Sequence, residues 1–305
     1  MYDVIVIGGG PAGYTSAMYA VRAGLSCAVI EKMSIGGQLA LTDIVDNYPG
    51  FNDGIDGITL GMQMQSGAER FGAESIYDEV TELILDAPVK KVICSGGEYE
   101  ARSVIIATGA RPRTLGIVRE SELTGRGVHY CAHCDGRFYK GKKVVVVGGG
   151  NSAVGDALYL SRICESVVLV HRRGTLRASR IYDEPLSRAE NIEILFDSVV
   201  DGFLTNDNGR VDGVNIRSTK DDSCYTLPCD GVFVSVGRVP ETELVRGVLP
   251  LDDAGYIISD ESTKTPIDGV FAAGDVRAKA LRQIVTAVAD GAVSAHYAEE
   301  YLTGI

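Results

Sequence analysis

The sequence predicts an α/β fold with two similar domains, the second inserted into the first. Its 305 residues suffice for two domains of about 150 residues each. A pattern of strand, Gly-rich turn, helix and second strand occurs twice, from Tyr2 and from Lys143. After the second copy, an apolar strand at 270–272 again ends in small residues, which indicates that the chain returns to its first domain.

The first copy starts with the apolar strand 2–7 and continues into the turn Gly8-Gly9-Gly10-Pro11-Ala12-Gly13. Glycines in such a turn permit a tight bend, let the backbone approach a pyrophosphate and let the helix pack close to the strand. The second strand ends at Glu31, an acid that can accept hydrogen bonds from a ribose with free hydroxyl groups. We interpret this copy as a FAD site, with candidate residues Gly8, Gly10, Pro11, Ala12, Gly13 and Glu31.

The second copy starts with strand 143–147 and the turn Gly148-Gly149-Gly150-Asn151-Ser152-Ala153. Its second strand ends in His171-Arg172-Arg173, with Arg177 one turn further on. Arginine recognises phosphate through its charge and its fork of donors, so this cluster favours a ribose 2′-phosphate. We interpret this copy as an NADPH site. Its candidate residues are Gly148, Gly150, Asn151, Ser152, Ala153, His171, Arg172, Arg173 and Arg177.

Two strands that end in small residues complete the first domain. Strand 104–106 leads into Ala107-Thr108-Gly109, and strand 270–272 leads into Gly274 and Asp275, whose carboxylate can accept hydrogen bonds from a polyol. The Pro-bearing stretches 109–113 and 238–242 are the expected hinges. We expect a discontinuous FAD-binding domain at 1–113 and 243–305 and an NADPH-binding domain at 114–242. The predicted fold class is therefore two Rossmann-like dinucleotide-binding domains of the FAD/NAD(P)-binding type.

Charge and composition argue against several other classes of protein. The formal net charge is −12 at pH 7, and the isoelectric point is near 4.9. A negative field repels nucleic-acid phosphates and anionic lipids, so we expect no nucleic-acid partner and no membrane partner. No apolar run approaches the ~20 residues of a membrane helix, and no signal peptide is evident before the first strand. The expected location is the cytoplasm.

Two of the seven cysteines form the motif Cys131-Ala132-His133-Cys134. Three interpretations are open, namely a zinc site completed by Cys224 and Cys229, an inert pair, and a redox-active disulfide. The third is favoured because the pair lies between the two dinucleotide units, and because the adjacent Asp135 can protonate a departing thiolate. The other five cysteines are expected to be small buried hydrophobic residues.

The histidines near the motif differ in their expected importance. His133, inside the motif, is expected to favour the thiolate and to raise the reduction potential of the pair, with a solvent-exposed spacer as the alternative. His129 and His296 have no comparable context and are expected to be ordinary polar residues.

Together these motifs resemble those of bacterial low-molecular-weight thioredoxin reductases, and the resemblance covers nearly the whole chain. Single pieces occur in other flavoproteins, but the combination is specific. The residues that carry it are Gly8–Gly13, Gly36-Gly37-Gln38-Leu39, Asn47–Phe51, Ala107–Ala110, Cys131–Gly136, Gly148–Ala153, His171–Arg173 with Arg177, and Phe271–Val276 with Leu281–Ile284.

The resemblance implies a homodimer in which electrons pass from NADPH to FAD, then to the Cys131–Cys134 disulfide, and then to oxidised thioredoxin. It implies that Cys134 faces the flavin, that Cys131 attacks the disulfide of thioredoxin, and that Asp135 donates a proton. It also implies a rotation of the inserted domain. The further flavin-site residues that it implies are Gly36, Gly37, Gln38, Asn47, Asp275, Arg282, Gln283 and Ile284.

Two positions depart from the family pattern. His133 stands where relatives usually have a small or hydroxyl residue, and Gly155 stands in a helix where relatives often have Glu. Glycine within a helix costs about 1 kcal/mol relative to Ala.

Three alternative functions remain open. A flavin-dependent dithiol oxidase or a ferredoxin-fed thioredoxin reductase could use the same scaffold without the Arg172, Arg173 and Arg177 cluster. The third alternative is a redox sensor without turnover.

Overall fold

The structure is a computed structural model that describes residues 1–32, 35–42 and 44–304. The chain forms two compact units. Unit 1 comprises Met1–Arg111 and Val239–Ile305, and unit 2 comprises Pro112–Arg238. Both crossings of the chain between the units lie within the Pro-bearing stretches 109–113 and 238–242.

The elements follow in chain order. The strands are β1 (Tyr2–Ile7), β2 (Cys27–Glu31), β3 (Ile44–Val45), β4 (Ile55–Asp56), β5 (Glu74–Tyr77), β6 (Val80–Ile84), β7 (Lys90–Cys94), β8 (Glu98–Ile106), β9 (Ala110–Pro112), β10 (Val128–His129), β11 (Lys143–Val147), β12 (Ser166–Val170), β13 (Ile192–Leu195), β14 (Ser198–Thr205), β15 (Val211–Ser218), β16 (Cys224–Pro228), β17 (Gly231–Val234), β18 (Arg238–Pro240) and β19 (Val270–Ala272). The α-helices are α1 (Pro11–Arg22), α2 (Gly57–Glu69), α3 (Ala132–Asp135), α4 (Asn151–Ser161), α5 (Asp183–Arg188) and α6 (Ile284–Thr303).

The main sheet of unit 1 has the order β5-β2-β1-β8-β7-β6, and β19 also pairs with β8. Strand β1 is parallel to β2 and β8, with Ile7 opposite Ile30 and Ile106. The nine-residue strand β8 pairs antiparallel with β7 along its first half and parallel with β19 along its last residues. The parallel strands therefore end at one edge of the sheet, where ligands bind in folds of this kind.

The core of unit 1 occupies both faces of this sheet. Val4 and Val6 face α1 and α6, whereas Ile5 and Ile7 pack on the opposite side. Helix α6 approaches α1 closely, because a Cβ at Gly291 would lie 2.4 Å from the Ala12 carbonyl oxygen. This packing holds the N-terminal turn of α1 against the middle of α6.

Unit 2 contains a parallel sheet of order β10-β17-β11-β12-β13 and an antiparallel sheet of order β14-β15-β16. Val144 and Val146 pack with α4, and Val145 and Val147 pack with side chains of the antiparallel sheet. The parallel sheet is thus covered on both faces, which explains its continuous apolar strands. The Cys motif follows β10, the second Gly-rich turn follows β11, and the His-Arg-Arg segment follows β12 at this unit's ligand edge.

Candidate functional site

The turn between β1 and α1 accepts only glycine at two positions. Gly8 has a φ of +105°, and a Cβ there would lie 2.5 Å from the Ala107 carbonyl oxygen. A Cβ at Gly13 would lie 1.9 Å from the Gly8 carbonyl oxygen. Within the described chain, no side chain caps α1 at its N-cap, Gly10. The N–H groups of the first helical turn can therefore bind an anion.

Two predicted segments lie against this turn. At the end of β2, Glu31 Oε2 accepts a hydrogen bond of 2.7 Å from the Gly9 N–H. The Gly36 N–H donates to the Gly9 carbonyl oxygen over 3.0 Å, and the 3₁₀-helix Gly37–Leu41, which contains Gln38, begins there. Residues 36–38 therefore lie next to the Gly-rich turn between β1 and α1. This is the arrangement expected if both segments bind the same ligand.

The ends of β8 and β19 meet the same edge. The Ala107 N–H donates to the Ile7 carbonyl oxygen, and the Thr108 hydroxyl donates to the Glu241 carbonyl oxygen at 2.6 Å. Gly274 has a φ of +80°, and a Cβ there would lie 2.9 Å from Ala12 Cβ. Residues 107–109 and the pair Gly274 and Asp275 therefore lie beside the first turn of α1.

The start of α6 completes this cluster of predicted residues. The Arg282 guanidinium lies 3.8 Å from the centre of the Tyr256 ring. Gln283 is the N-cap of α6, and the Asn47 side-chain amide donates to Gln283 Oε1 at 3.0 Å. Ile284 opens the helix and packs with Leu39. The contacts connect Leu39 and Asn47 to the N-terminus of α6.

A buried ion cluster holds the chain between β19 and α6. Asp290 accepts hydrogen bonds from the Gly274 N–H at 2.9 Å, from Arg277 at 2.7 and 2.8 Å, and from Lys279 at 2.7 Å. The side chains of Arg277, Lys279 and Asp290 are 3%, 8% and 7% exposed. Burial alone would raise the pKa of Asp290, but the hydrogen bonds from Arg277 and Lys279 outweigh burial and lower that pKa.

The Gly-rich turn of unit 2 has the same construction. A Cβ at Gly148 would lie 2.4 Å from the Ser235 carbonyl oxygen and 2.6 Å from Ala153 Cβ. Gly150 is the N-cap of α4 and carries no side-chain cap among the described residues. Asn151 Oδ1 accepts a hydrogen bond of 2.8 Å from the Ser179 N–H, which holds the chain after the arginines over the helix N-terminus. Ser152, the second residue of α4, is exposed.

His171 is buried against the second Gly-rich turn. A Cβ at Gly149 would lie 2.1 Å from His171 Nδ1, so only glycine leaves room for the ring. Within the described residues, His171 Nε2 has no hydrogen-bond partner. Burial lowers the pKa of His171, and the charges of Arg177 and Arg173 lower it further. A neutral buried imidazole with one unpaired nitrogen at a Gly-rich turn is suited to contact a ligand.

The three predicted arginines of unit 2 follow His171 in the chain and reach solvent. Arg172, Arg173 and Arg177 are exposed. The Arg177 N–H donates to the Gly149 carbonyl oxygen at 2.7 Å, which anchors the arginine segment to the turn. The arrangement leaves three cationic side chains accessible to an anionic ligand.

Cys131 and Cys134 form a disulfide in this structure, with Cα atoms 5.3 Å apart. Cys131 is the N-cap of α3, and its sulfur accepts a hydrogen bond from the Cys134 N–H at 3.2 Å. Gly136 follows the motif at a crowded position, since a Cβ there would lie 2.8 Å from a Leu160 methyl carbon. The pair is therefore fixed on the body of unit 2, and both sulfur-bearing residues remain partly exposed.

His129 contacts the carboxylate beside the disulfide. His129 Nδ1 lies 3.2 Å from Asp135 Oδ2, and His129 Nε2 lies 2.7 Å from the Tyr139 hydroxyl. The side chains of His129 and Asp135 are 8% and 15% exposed. The expectation that His129 is an ordinary polar residue is wrong. This contact has no sequence signal, because His129 precedes the motif and reaches Asp135 only through the fold of α3.

His133 lies on the exposed side of the motif. Its ring centre is 4.1 Å from that of Tyr159. Nearby, Asp156 accepts a hydrogen bond from the Ser235 hydroxyl, and burial raises the pKa of Asp156 while His133 and Arg238 oppose this rise. His133 is therefore close enough to Asp156 to affect the charge of that carboxyl.

The remaining cysteines are mostly buried thiols. Burial raises the pKa of Cys27 and Cys229 to about 12 and that of Cys94 and Cys164 to about 11. Cys224 is exposed, so the expectation of burial is wrong for that residue.

The cysteines also bear on the zinc alternative. In the part of the chain that the structure describes, no group of three or more His, Cys, Asp and Glu could hold a metal ion. The sulfurs of Cys131 and Cys134 are bonded to each other and are not presented as zinc ligands.

Comparison with known proteins places these features in a family. The family model for pyridine nucleotide-disulphide oxidoreductases matches residues 2–291. A thioredoxin reductase from Listeria monocytogenes is 46% identical over 99% of this chain and 94% of its own length. One from Bacillus subtilis is 44% identical over 98% of this chain and 96% of its own. The chain belongs to the thioredoxin reductases of this family.

A solved structure agrees with this assignment. The crystal structure of thioredoxin reductase from Streptococcus pyogenes matches with a TM-score of 0.94 and 43% identity, over 100% of this chain and 99% of that one. The predicted α/β fold of two dinucleotide-binding domains is confirmed. The protein is an oxidoreductase that uses a flavin and a nicotinamide nucleotide. The relatives do not favour the dithiol oxidase or ferredoxin alternative. No helix in the described residues has both the length and the apolar character to span a membrane.

Proposed function

We propose that the protein is a homodimeric cytoplasmic enzyme that carries electrons from NADPH through FAD and the Cys131–Cys134 disulfide to a thioredoxin. The observation that carries the proposal is the disulfide in unit 2 with a carboxylate beside it, in a chain that has two glycine turns able to hold dinucleotides. The relatives named thioredoxin reductase support the acceptor.

The residues of unit 1 fit FAD. The glycine turn and the N-terminus of α1 would hold the pyrophosphate, and Glu31 at the end of β2 would lie near the ribose. Asp275 would accept from the ribityl chain, and the N-terminus of α6 at Gln283 and Ile284 would place its N–H groups near the flavin ring. The remaining proposed flavin-site residues are Gly36, Gly37, Gln38, Asn47, Ala107, Thr108, Gly109, Gly274 and Arg282.

The residues of unit 2 fit NADPH. The α4 N-terminus at Gly150 and Asn151 would hold the pyrophosphate, and the unpaired His171 Nε2 would gain a partner from the nucleotide. Arg172, Arg173 and Arg177 would pair with the 2′-phosphate, a group that NADH lacks. When bound, the two cofactors supply hydride and electron transfer to the disulfide.

The thiol chemistry belongs to the chain itself. In the reduced state the Cys131 thiolate attacks one sulfur of the partner disulfide, so that a bond from Cys131 to the partner forms and the partner's S–S bond breaks. The departing partner sulfur takes a proton from the Asp135 carboxyl. The Cys134 thiolate then attacks Cys131 Sγ, which restores the Cys131–Cys134 bond and releases the partner with both cysteines reduced.

Anaerobic mixing of the purified protein with NADPH tests this proposal. Flavin absorbance should fall rapidly with NADPH and recover on addition of oxidised thioredoxin, and NADH should react far more slowly. Bleaching by a dithiol or by reduced ferredoxin, but not by NADPH, would show that the arginine cluster has another role. The mass of the protein in solution, measured by light scattering, tests the dimer.

A further inference from the structure

His129 connects the carboxyl beside the redox disulfide to a buried phenol. Its Nδ1 is 3.2 Å from Asp135 Oδ2, and its Nε2 is 2.7 Å from the Tyr139 hydroxyl. His129 and Tyr139 are 7% and 3% exposed. Both ring nitrogens of one imidazole are therefore occupied inside the protein.

The Tyr139 hydroxyl is placed to select which nitrogen of His129 carries the proton. Burial raises the pKa of Tyr139 to about 12, although the nearby Arg210 opposes this rise. Tyr139 therefore keeps its proton at neutral pH, and its O–H can donate to His129 Nε2. In the tautomer whose Nε2 accepts this bond, the N–H of the imidazole lies on Nδ1 and faces Asp135 Oδ2.

Packing fixes the imidazole in this orientation. The His129 ring stacks on Phe233 with centres 5.3 Å apart and planes 27° apart. Tyr139 meets both rings edge-on. A Cβ at Gly231 would lie 2.3 Å from the Tyr139 ring, so the glycine leaves the space that this ring occupies. The imidazole has little freedom to turn away from Asp135.

We propose that His129 is a positioning residue for the proton-donating carboxyl of Asp135, and that Tyr139 selects the imidazole tautomer that this role needs. The inference rests on the proposed function. When Asp135 gives its proton to a departing thiolate, one S–H bond forms and one carboxyl O–H bond breaks. The hydrogen bond from His129 Nδ1–H then becomes charge-assisted and stabilises the new carboxylate, while His129 keeps its own proton.

Other titratable groups lie close enough to affect a pH profile. Arg210 faces Tyr139, and His133 of the motif lies close to the half-buried Asp156. These groups stay unchanged in a comparison of variants at position 129 alone. A difference between such variants therefore reports on the contacts of His129.

Two substitutions separate the two hydrogen bonds of His129. In His129→Asn the side-chain amide nitrogen takes the place of Nδ1 and keeps the donor to Asp135. In His129→Gln the terminal amide takes the place of Nε2 and keeps only the contact with Tyr139. His296→Gln, at an exposed position on α6, is the matched control for loss of a histidine.

Steady-state thioredoxin reduction across a range of pH is the measurement. We expect His129→Gln to lower kcat by about 10- to 100-fold, the value of a hydrogen bond to a charged group. The alkaline limb of its profile should move to higher pH, because the ionised carboxyl loses stabilisation. KM for thioredoxin and anaerobic flavin reduction by NADPH should stay at wild-type values. His129→Asn should stay close to the wild type, and in an Asp135→Asn background His129→Gln should add no further loss.

Several results would overturn the inference. Equal behaviour of His129→Asn and His129→Gln, or an unshifted profile in His129→Gln, would show that His129 only packs. If His129→Gln fails to fold, Tyr139→Phe is the substitute, since it keeps the ring and removes the O–H. The alkaline limb of the pH profile should then move in the same direction by a smaller amount. An unshifted limb in Tyr139→Phe would also refute the positioning role of His129. If the wild type is reduced by NADPH but does not reduce thioredoxin, the proposed function fails, and the same comparison with a small aliphatic disulfide as acceptor decides the inference.

Discussion

Asp290→Asn should destabilise unit 1 strongly. The change keeps the size of the side chain but removes a carboxylate that contacts both Arg277 and Lys279, whose side chains are only 3% and 8% exposed. Breaking a buried ion pair by removing one partner costs about 3–5 kcal/mol, because the remaining charge has no compensation. At about 2–4 °C per kcal/mol for a unit of this size, the midpoint of thermal unfolding should fall by roughly 6–20 °C.

Circular dichroism during heating of the FAD-loaded protein measures this midpoint. Glu261→Gln is the control, since Glu261 also contacts Arg277, at 3.6 Å, but its side chain is 98% exposed. An exposed ion pair contributes about 1 kcal/mol or less, so the control should unfold near the wild type. Equal midpoints for Asp290→Asn and Glu261→Gln would refute the reasoning that burial makes this cluster matter.

The pH dependence of the stability difference between the wild type and Asp290→Asn tests the same reasoning. The pKa of Asp290 is below its ordinary value in the folded protein, because the hydrogen bonds from Arg277 and Lys279 outweigh the effect of burial. A carboxyl whose pKa is lower in the folded than in the unfolded protein stabilises the folded state. This contribution is complete above the pKa of the unfolded protein, about 3.9, and is lost as the pH falls through the pKa of the folded protein. The deficit of Asp290→Asn should therefore be full at neutral pH and shrink in strong acid. A deficit that grows in acid would contradict this sign.

The remaining predictions concern the redox pair and the nucleotide. Cys131→Ser or Cys134→Ser should abolish thioredoxin reduction but preserve flavin reduction by NADPH in anaerobic mixing; loss of both would contradict the proposed electron path. Arg172→Ala with Arg173→Ala should raise KM for NADPH by about 10- to 100-fold and leave KM for NADH unchanged in steady-state assays. An equal effect on both nucleotides would mean that these arginines do not bind a 2′-phosphate. His133→Thr should lower the reduction potential of the pair by about 10–30 mV in a glutathione titration, and an unchanged potential would remove its assigned effect.

The sequence predicted the features that depend on local chemistry. Gly8 and Gly13 are recognisable because their turn needs close backbone contacts, which the structure contains. The Cys131–Cys134 spacing likewise needs only one turn of chain, and the structure has the disulfide. The strand-turn-helix order then fixes which edge of the sheet carries the ligand turn.

The contacts that depend on tertiary structure were not predictable from one sequence. Asp290 lies on α6, and its partners Arg277 and Lys279 lie in the preceding loop without a periodic pattern. His129 belongs to a two-residue strand, and only the packing of Tyr139 and Phe233 brings its ring onto Asp135. A histidine or an aspartate has no local signature that separates a buried partner from a solvated one.

The burial of four cysteines confines thiol–disulfide exchange to the Cys131–Cys134 pair and leaves Cys224 as the other exposed cysteine among the described residues. At a pKa of about 11–12, a thiol is ionised at neutral pH in about one molecule per ten thousand or fewer, and the thiolate is the form that reacts. Cys27, Cys94, Cys164 and Cys229 are therefore poor nucleophiles for thiol–disulfide exchange. A brief alkylation of the reduced protein should therefore label Cys131, Cys134 and Cys224, and the four buried cysteines should stay unlabelled.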